Sequence, residues 1–409
     1  MSNAKTRKPI LDGIRVLDIA HQYSAANTCA ILADLGADVV SIEHPAGSPI
    51  RTMLPKKDGH SMWWKVAQRG KRHITLNLST PRGKEIFLGM IKDFDVLVEN
   101  FRPGTLERWG LGPDDLEKAG ANLTMMRISG FGQTGPYRER PGFGTVAEAM
   151  SGFAHMNGYP DGPPTFPSTT LADGVASLWG VIGTLAGLLG NLRAGSTRGV
   201  EVADVALFEG LFRIIPTQVP TYQQTGLAQR RPGNYLGDHG VLRNVYRSKD
   251  DRYLCVSAVG PAAIRRILVG AGATELVAVI DAGIMNEHET AKIEHFLGRC
   301  NAHLLPWTEA RIYAELTADL EAAGAVFSPV YSVAEIVKDE QYLAREDIVT
   351  LDDPDLGPLM MQGIVPKFPG RDHKLRHAGG ASGLDNVAFY GTHGISPEEI
   401  ETLRKQGVM

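Results

Sequence analysis

Several features that would have narrowed the chemistry of this 409-residue chain are scarce or missing. There are only three cysteines, Cys29, Cys255 and Cys300, far apart and without metal-ligand or redox spacing. No metal site is therefore expected, and buried thiols in a reducing, cytoplasmic compartment are. The formal net charge is -4, so no overall basic field recommends nucleic acid as a partner. The longest apolar run, around Trp179 to Leu189, is interrupted by glycines and is expected to fall short of the roughly 20 residues of a membrane span. The opening MSNAKTRKPILDG is polar and lacks the apolar core of a signal peptide, so no membrane insertion is expected. Internal repeats and low-complexity segments are absent. So is glycine from HQYSAANT (21–28), the turn between the first strand-like and first helix-like segments. Close approach of a pyrophosphate through a G-x-G-x-x-G turn is thereby excluded, and with it a nicotinamide or flavin cofactor.

With 43% apolar and 22% charged residues, what is present suits a globular chain of two or three domain-sized units. GIRVLDIA (13–20), the helical NTCAILADLGA (27–37) and DVVSIEHP (38–45) form a strand, helix, strand unit. HITLNL (73–78), PRGKEIFLGMIKD (81–93) and VLVENF (96–101) form a second, and LTMMRISGFG (123–132) adds a strand. Such alternation predicts an open parallel α/β sheet with helices on its faces. Glu43, at the end of the second strand, either meets a ribose or merely terminates the strand. Helix is predicted from Val205 to Ile215, then a polar connection over 221–240 and a hairpin over 242–259 turning at Lys249, Asp250 and Asp251. Amphipathic helices to about residue 325 would complete a small α+β domain. Helix is expected again over 329–347, and ISPEEIETLRKQGVM (395–409) carries a Ser-Pro-Glu-Glu helix start.

The stretch from Ser151 to Leu207 is the centre of the functional argument. Pro163, Pro164 and Pro167 hold an extended approach. From Asp173 onward, apolar residues recur at three- and four-residue spacing among Gly and Ala, which predicts a helix buried against its neighbours. One carboxylate, Asp173, thus sits where a loop enters a helix. Position alone favours a helix cap; the alternative is chemistry.

The ordered blocks LDGIRVLDIA, LGADVVSIEHP, ITLNLSTPRGKE, VLVENFRPGTLERWGL, ISGFGQTGPY, PGF (141–143), GYPDGPP (158–164) followed by Asp173, QYLARED and GISPEEIETLRKQGV resemble the class III CoA-transferase family. They span nearly the whole chain in order. The resemblance implies a Rossmann-like large domain from both chain ends, a small α+β middle domain and an interlocked homodimer. The corresponding division is residues 1–225, a linker and small domain over 226–328, and a return to the large domain over 329–409. It also implies transfer of CoA from an acyl-CoA to a carboxylic acid acceptor, with CoA as substrate and no tightly bound cofactor. Asp173 matches the family's nucleophile, passing through an aspartyl anhydride and an aspartyl-CoA thioester. Asn100, Phe101, Arg102 and Arg108 match its CoA-binding block, and Tyr23, Ser24, Leu76 and Ser79 match further contact positions.

Three departures stand out. His44 replaces an arginine that often follows the glutamate of the second strand. Gly144 replaces an acid, and the glycine-rich loop is reduced to Gly237-Asp238-His239-Gly240. Two alternatives follow from the same resemblance: an α-methylacyl-CoA racemase, whose His-Asp pair would stand at Phe143-Gly144, and a non-catalytic CoA-binding dimer. His239 is either a local acid or base or an ordinary loop histidine; Met285, His288 and Tyr313 are expected on the surface or in the core.

Overall fold

The structure is a computed structural model that describes residues 7–195, 199–236, 240–287 and 289–409. The loop residues Gly237, Asp238 and His239, and His288, lie outside the described residues. The chain divides into two compact units. The larger comprises residues up to 153, 166–223 and 341–409, and the smaller comprises 154–165 and 224–340.

The larger unit is organised by six parallel strands: β1 (Arg15–Asp18), β2 (Asp38–Glu43), β3 (Arg72–Thr75), β4 (Val96–Glu99), β5 (Leu123–Ser129) and β6 (Val200–Ala206). Their order is β3-β2-β1-β4-β5-β6, as in a doubly wound sheet whose direction of winding reverses between β1 and β4. Side chains alternate across the pleat. Leu17, Val40, Ile74, Leu97 and Met125 face one core, shared with Ile86 and Phe87 of helix α2 (Pro81–Met90). Val16, Val39, Val96, Val98 and Met126 face the other, against Ala25, Ala26, Cys29 and Leu32 of α1 (Tyr23–Asp34). The residue types that made each strand legible thus also assign its two faces.

The C-terminal 341–409 segment completes the first core. After the short helix Glu340–Ala344 it forms a hairpin that sequence reading did not anticipate, β7 (Ile348–Asp353) paired with β8 (Gly357–Gln362). Ser396 caps the last helix (Pro397–Lys405) by accepting the Glu399 amide at 3.2 Å. Beyond that helix Val408 and Met409 are buried with Leu76 and Leu78, and the Val408 carbonyl accepts the Asn77 amide at 2.7 Å. A buried pair pins the other face: the Lys71 ammonium donates to Asp18 and to the Ala26 carbonyl, both at 2.7 Å. Removing one member of such a pair costs roughly 3–5 kcal/mol, because it leaves the other charge buried alone.

The predicted helix after the proline-rich approach spans Leu171–Ala194. It is buried against its neighbours along one face and exposed along the other. Ala172, Ala176, Ser177, Thr184 and Leu188 are buried, whereas Leu178, Ile182, Leu189 and Leu192 are exposed. At 24 residues it is also longer than the apolar run suggested, long and apolar enough to cross a membrane by length and composition. Gly180, Gly183 and Gly187 lie on the packed face. A Cβ on Gly180 would meet Thr28 Oγ1 at 2.6 Å, and one on Gly187 would meet Thr124 at 2.4 Å. The interruptions therefore let this helix lie close on α1 and β5.

The smaller unit has a three-stranded antiparallel sheet, Val241–Arg247, Tyr253–Val259 and Phe327–Pro329. Four helices between Pro261 and Ala322 pack into its own core. Met285 and Tyr313 are partly buried against that core.

Candidate active site

The crevice outside the carboxyl ends of β1 and β4 lies where the winding reverses, the place where open α/β sheets bind ligands. Local chemistry shapes it. The chain leaves β1 through His21, whose amide donates to Asn100 Oδ1 at 3.0 Å, and Asn100 Nδ2 donates to the Gln22 carbonyl at 3.3 Å. One asparagine after β4 thus ties the two strand exits together. Next to it, Phe101 stacks on the His21 imidazole with centroids 4.8 Å apart, and Trp109 meets Phe101 edge-on. Burial pushes the His21 imidazole below its usual range, so it stacks as a neutral ring.

His21 and Phe101 are the wall between two cavities. The first, about 320 Å³, is lined by Ile19, Ile42, Leu76, Leu78 and Trp109, with His44 and Ser79 at its polar edge. His44 Nδ1 accepts the Ala46 amide at 3.0 Å, fixing the ring through a local turn. Glu43 is engaged elsewhere: it receives Arg51 at 2.6 and 2.9 Å and the Ser48 amide at 2.7 Å. The strand-ending alternative for this residue therefore fits better than a ribose contact.

The second cavity, about 210 Å³, brings together Ser24, Asn100, Phe101, Arg102 and Asp173 with Arg138, Arg140 and Phe143. Among the described residues Asp173 is its only acidic lining residue, and three arginines also line it, Arg138 paired with Glu139 and Arg140 stacked over Tyr137. Tyr23 lines neither cavity and packs edge-on against Trp63, although burial and then the charge of Asp173 raise its hydroxyl pKa. Arg108 also lines neither; it is exposed and donates to Thr105 Oγ1 at 2.9 Å.

Asp173 is not the cap of its helix. Thr170 occupies that place, and Asp173 stands in the first turn. The single Ser177 hydroxyl proton is shared between the carbonyls of Asp173 (2.7 Å) and Ser24 (2.8 Å), and Thr28 Oγ1 lies 3.1 Å from the Ser177 carbonyl, within donating distance. Hydroxyl groups thereby fasten this turn to α1 through the main chain and leave the carboxylate open to the cavity.

Space for that carboxylate depends on Gly144. A Cβ there would lie 2.1 Å from Asp173 Oδ2, so any side chain would displace the acid. The same helix, Gly144–Met150, carries Glu148, which is 2% exposed and accepts the Ala172 amide at 3.3 Å. Burial first, and then the charge of Glu148, raise the Asp173 carboxyl to about 6, against the opposing pull of its own main-chain amide. At pH 7 it remains mostly ionised, and it is more basic than a free aspartate.

Glu148, Arg138, Arg140 and His21 were not singled out from the sequence. The available signal was a lone acid in the otherwise uncharged GTVAEAM, one helical turn after Gly144. The racemase alternative fares poorly in this geometry, since Phe143 has no titratable group and an aspartate at 144 would collide with Asp173.

The comparisons with known proteins agree over the full length. The sequence model of CoA-transferase family III matches residues 11–386. The chain is 32% identical to succinyl-CoA–D-citramalate CoA-transferase of Chloroflexus aurantiacus over 412 aligned positions, covering 100% of both chains. It is 34% identical to the beta subunit of succinyl-CoA–L-malate CoA-transferase of the same organism, again covering 100% of both. Its fold is similar to that of a CAIB/BAIF family protein from Brucella suis, with a TM-score of 0.80, 26% identity and coverage of 94% of this chain and 100% of that one.

Proposed function

The chain belongs to CoA-transferase family III and moves CoA from an acyl-CoA thioester to a carboxylic acid; we propose that Asp173 carries that exchange covalently. The open, basic carboxylate of Asp173, in a cavity held clear by Gly144, is the observation that supports this reading. An Asp173 oxygen attacks the thioester carbonyl, the carbon–sulfur bond breaks, and the electron pair leaves on the CoA thiolate. An aspartyl anhydride results. The thiolate then attacks the aspartyl carbonyl of the anhydride, releasing the donor acid as its carboxylate and leaving an aspartyl-CoA thioester. The acceptor carboxylate attacks that thioester, expelling thiolate, and the thiolate attacks the acyl carbon of the new anhydride to give the new acyl-CoA and regenerate Asp173. No net proton is consumed, so a general acid is not required.

In this reading the apolar cavity beside Leu76 and Phe101 takes the adenine, with Ser79 and His44 at its edge. Asn100 and Arg102 guide the remainder of CoA toward Asp173. Ser24 lines the acyl side, whereas Tyr23 acts from behind and Arg108 only from the exposed rim. Coenzyme A enters as substrate and no tightly bound cofactor takes part. The acceptor is a dicarboxylic acid: citramalate and malate in the relatives' names are of that class, and Arg138 and Arg140 offer guanidinium forks to a second carboxylate.

The working unit is an interlocked homodimer in the cytoplasm. Exposed Leu178, Ile182, Leu189 and Leu192 on one helix form an apolar face that a second copy would cover.

Intact-protein mass spectrometry after incubation with succinyl-CoA, with hydroxylamine trapping, tests the covalent step. The wild type acquires an adduct that maps to Asp173, and Asp173→Ala acquires none while losing at least about 10³-fold in kcat. Turnover that persists in Asp173→Ala would overturn the reading.

A further inference from the structure

Glu148 is a buried acid that the reaction scheme above does not use. It is 2% exposed and, among the described residues, no ammonium or guanidinium group forms an ion pair with it. Buried acids without a cation are uncommon as mere filling. Its one side-chain hydrogen bond is to the Ala172 amide, immediately before Asp173. Gly144, one turn earlier on the same helix, is the residue whose missing side chain makes room for Asp173 Oδ2. Positions separated by four share a helix face, so one face presents first a vacancy that receives the nucleophile and then a carboxylate beside it.

Other charges near the pair are already committed or stand in the open cavity. Helix α1 contributes Tyr23, whose hydroxyl senses Asp173. Helix Leu207–Arg213, packed on Gly144–Met150, contributes Glu209, which accepts the Ala206 amide at 3.0 Å, and Arg213 in its last turn. His21, neutral by burial, and Arg102, Arg138 and Arg140 line the cavity.

We propose that Glu148 is a positioning residue for the covalent step: it fixes the first helical turn through the Ala172 amide and, by like-charge repulsion, favours conversion of the Asp173 carboxylate into a neutral acyl derivative. The balance of charge carries this. Before attack, the charge of Glu148 acts on the Asp173 carboxylate. After it, Asp173 is an uncharged anhydride or thioester, and the negative charge has left on thiolate or on the departing acid. Repulsion present in the free enzyme is thus absent in both covalent intermediates, and the enzyme holds them nearer in energy to the thioester substrates. This inference rests on the covalent role of Asp173.

The test compares Glu148→Gln, which retains a carbonyl oxygen for the Ala172 amide and removes the charge, with Glu148→Ala, which removes both. Each is incubated with succinyl-CoA, and the fraction of Asp173-linked adduct is read by intact mass beside a pH profile of kcat. Circular dichroism and thermal melting establish that each variant is folded. In Glu148→Gln the adduct fraction falls several-fold and the acid limb of kcat moves to lower pH, with KM for succinyl-CoA unchanged. Glu148→Ala loses a further factor, on the order of tenfold, because the turn is released. Wild-type adduct levels and an unmoved acid limb in Glu148→Gln would overturn the proposal and leave Glu148 a helix anchor. Failure of the covalent reading itself looks different: the wild type would then carry no Asp173 adduct.

Discussion

The two cavities on either side of His21 and Phe101 are built in different ways. The apolar one is made by strand exits: Ile19 follows β1, Ile42 lies in β2 and Leu76 follows β3. Its shape comes from the sheet, and its polar groups are held by short local contacts such as that of His44 with the Ala46 amide. The charged cavity is assembled from segments far apart in the chain, including α1, the arginines around 138–140, Phe143 and the first turn of Leu171–Ala194. The first cavity is suited to gripping an invariant moiety. The second is suited to chemistry, since its electrostatics depend on which segments meet.

This contrast predicts that substitutions on the two sides separate KM from kcat. The largest effect expected is at Gly144, where alanine would force Asp173 Oδ2 away from a Cβ otherwise 2.1 Å distant. Gly144→Ala should lower kcat by about 100-fold, as misplacement of a reacting group by an ångström does, while leaving KM for succinyl-CoA within a few-fold. Steady-state kinetics would show it, and an equal loss in both parameters would erase the distinction between the cavities.

The pH profile sharpens the same comparison. Attack needs the carboxylate, and the Asp173 carboxyl is raised to about 6, so kcat should fall about tenfold per unit below that pH. The sign for stability is opposite to that of a salt-bridged acid. A pKa raised in the folded state favours folding while the group is protonated, and this contribution is lost as pH rises through about 6. Asp173→Asn should therefore melt higher than the wild type at pH 8 and no higher at pH 4, which differential scanning calorimetry would resolve.

Smaller effects are expected at the edges. Replacing Arg138 and Arg140 together by glutamine should raise KM for a dicarboxylate acceptor by about tenfold, the scale of one or two charge-assisted hydrogen bonds, while KM for a monocarboxylate acceptor stays within a few-fold. Phe101→Leu should raise KM for succinyl-CoA a few-fold through loss of the stacked wall, with kcat nearly unchanged.

Much of this molecule is written in local pattern. Strand segments such as RVLD, DVVSIE and LTMMRIS alternate between two cores, and period-two alternation survives in any fold that buries both faces of a sheet. Ser396-Pro397-Glu398-Glu399 starts a helix by capping chemistry that needs no distant partner. The ordered blocks likewise singled out Asp173 and the Asn100-Phe101-Arg102 group, which the structure brings to one cavity. What the sequence could not show is what depends on contacts between distant residues. The apolar helix after Thr170 reads as buried, yet half its leucines face outward, because only one side meets α1 and β5.

Gly144 reads as a missing acid, and only packing shows it as the room in which Asp173 sits. Glu148 is not singled out by the sequence at all, and only packing shows it buried. Helical periodicity fixes which residues share a face, but the free energy of a charge on that face is set by how much water and what other charge the tertiary fold leaves beside it. The kind of reaction was therefore determined by the sequence alone, and the basicity, clearance and electrostatic company of the residue proposed to perform it were decided by the tertiary structure.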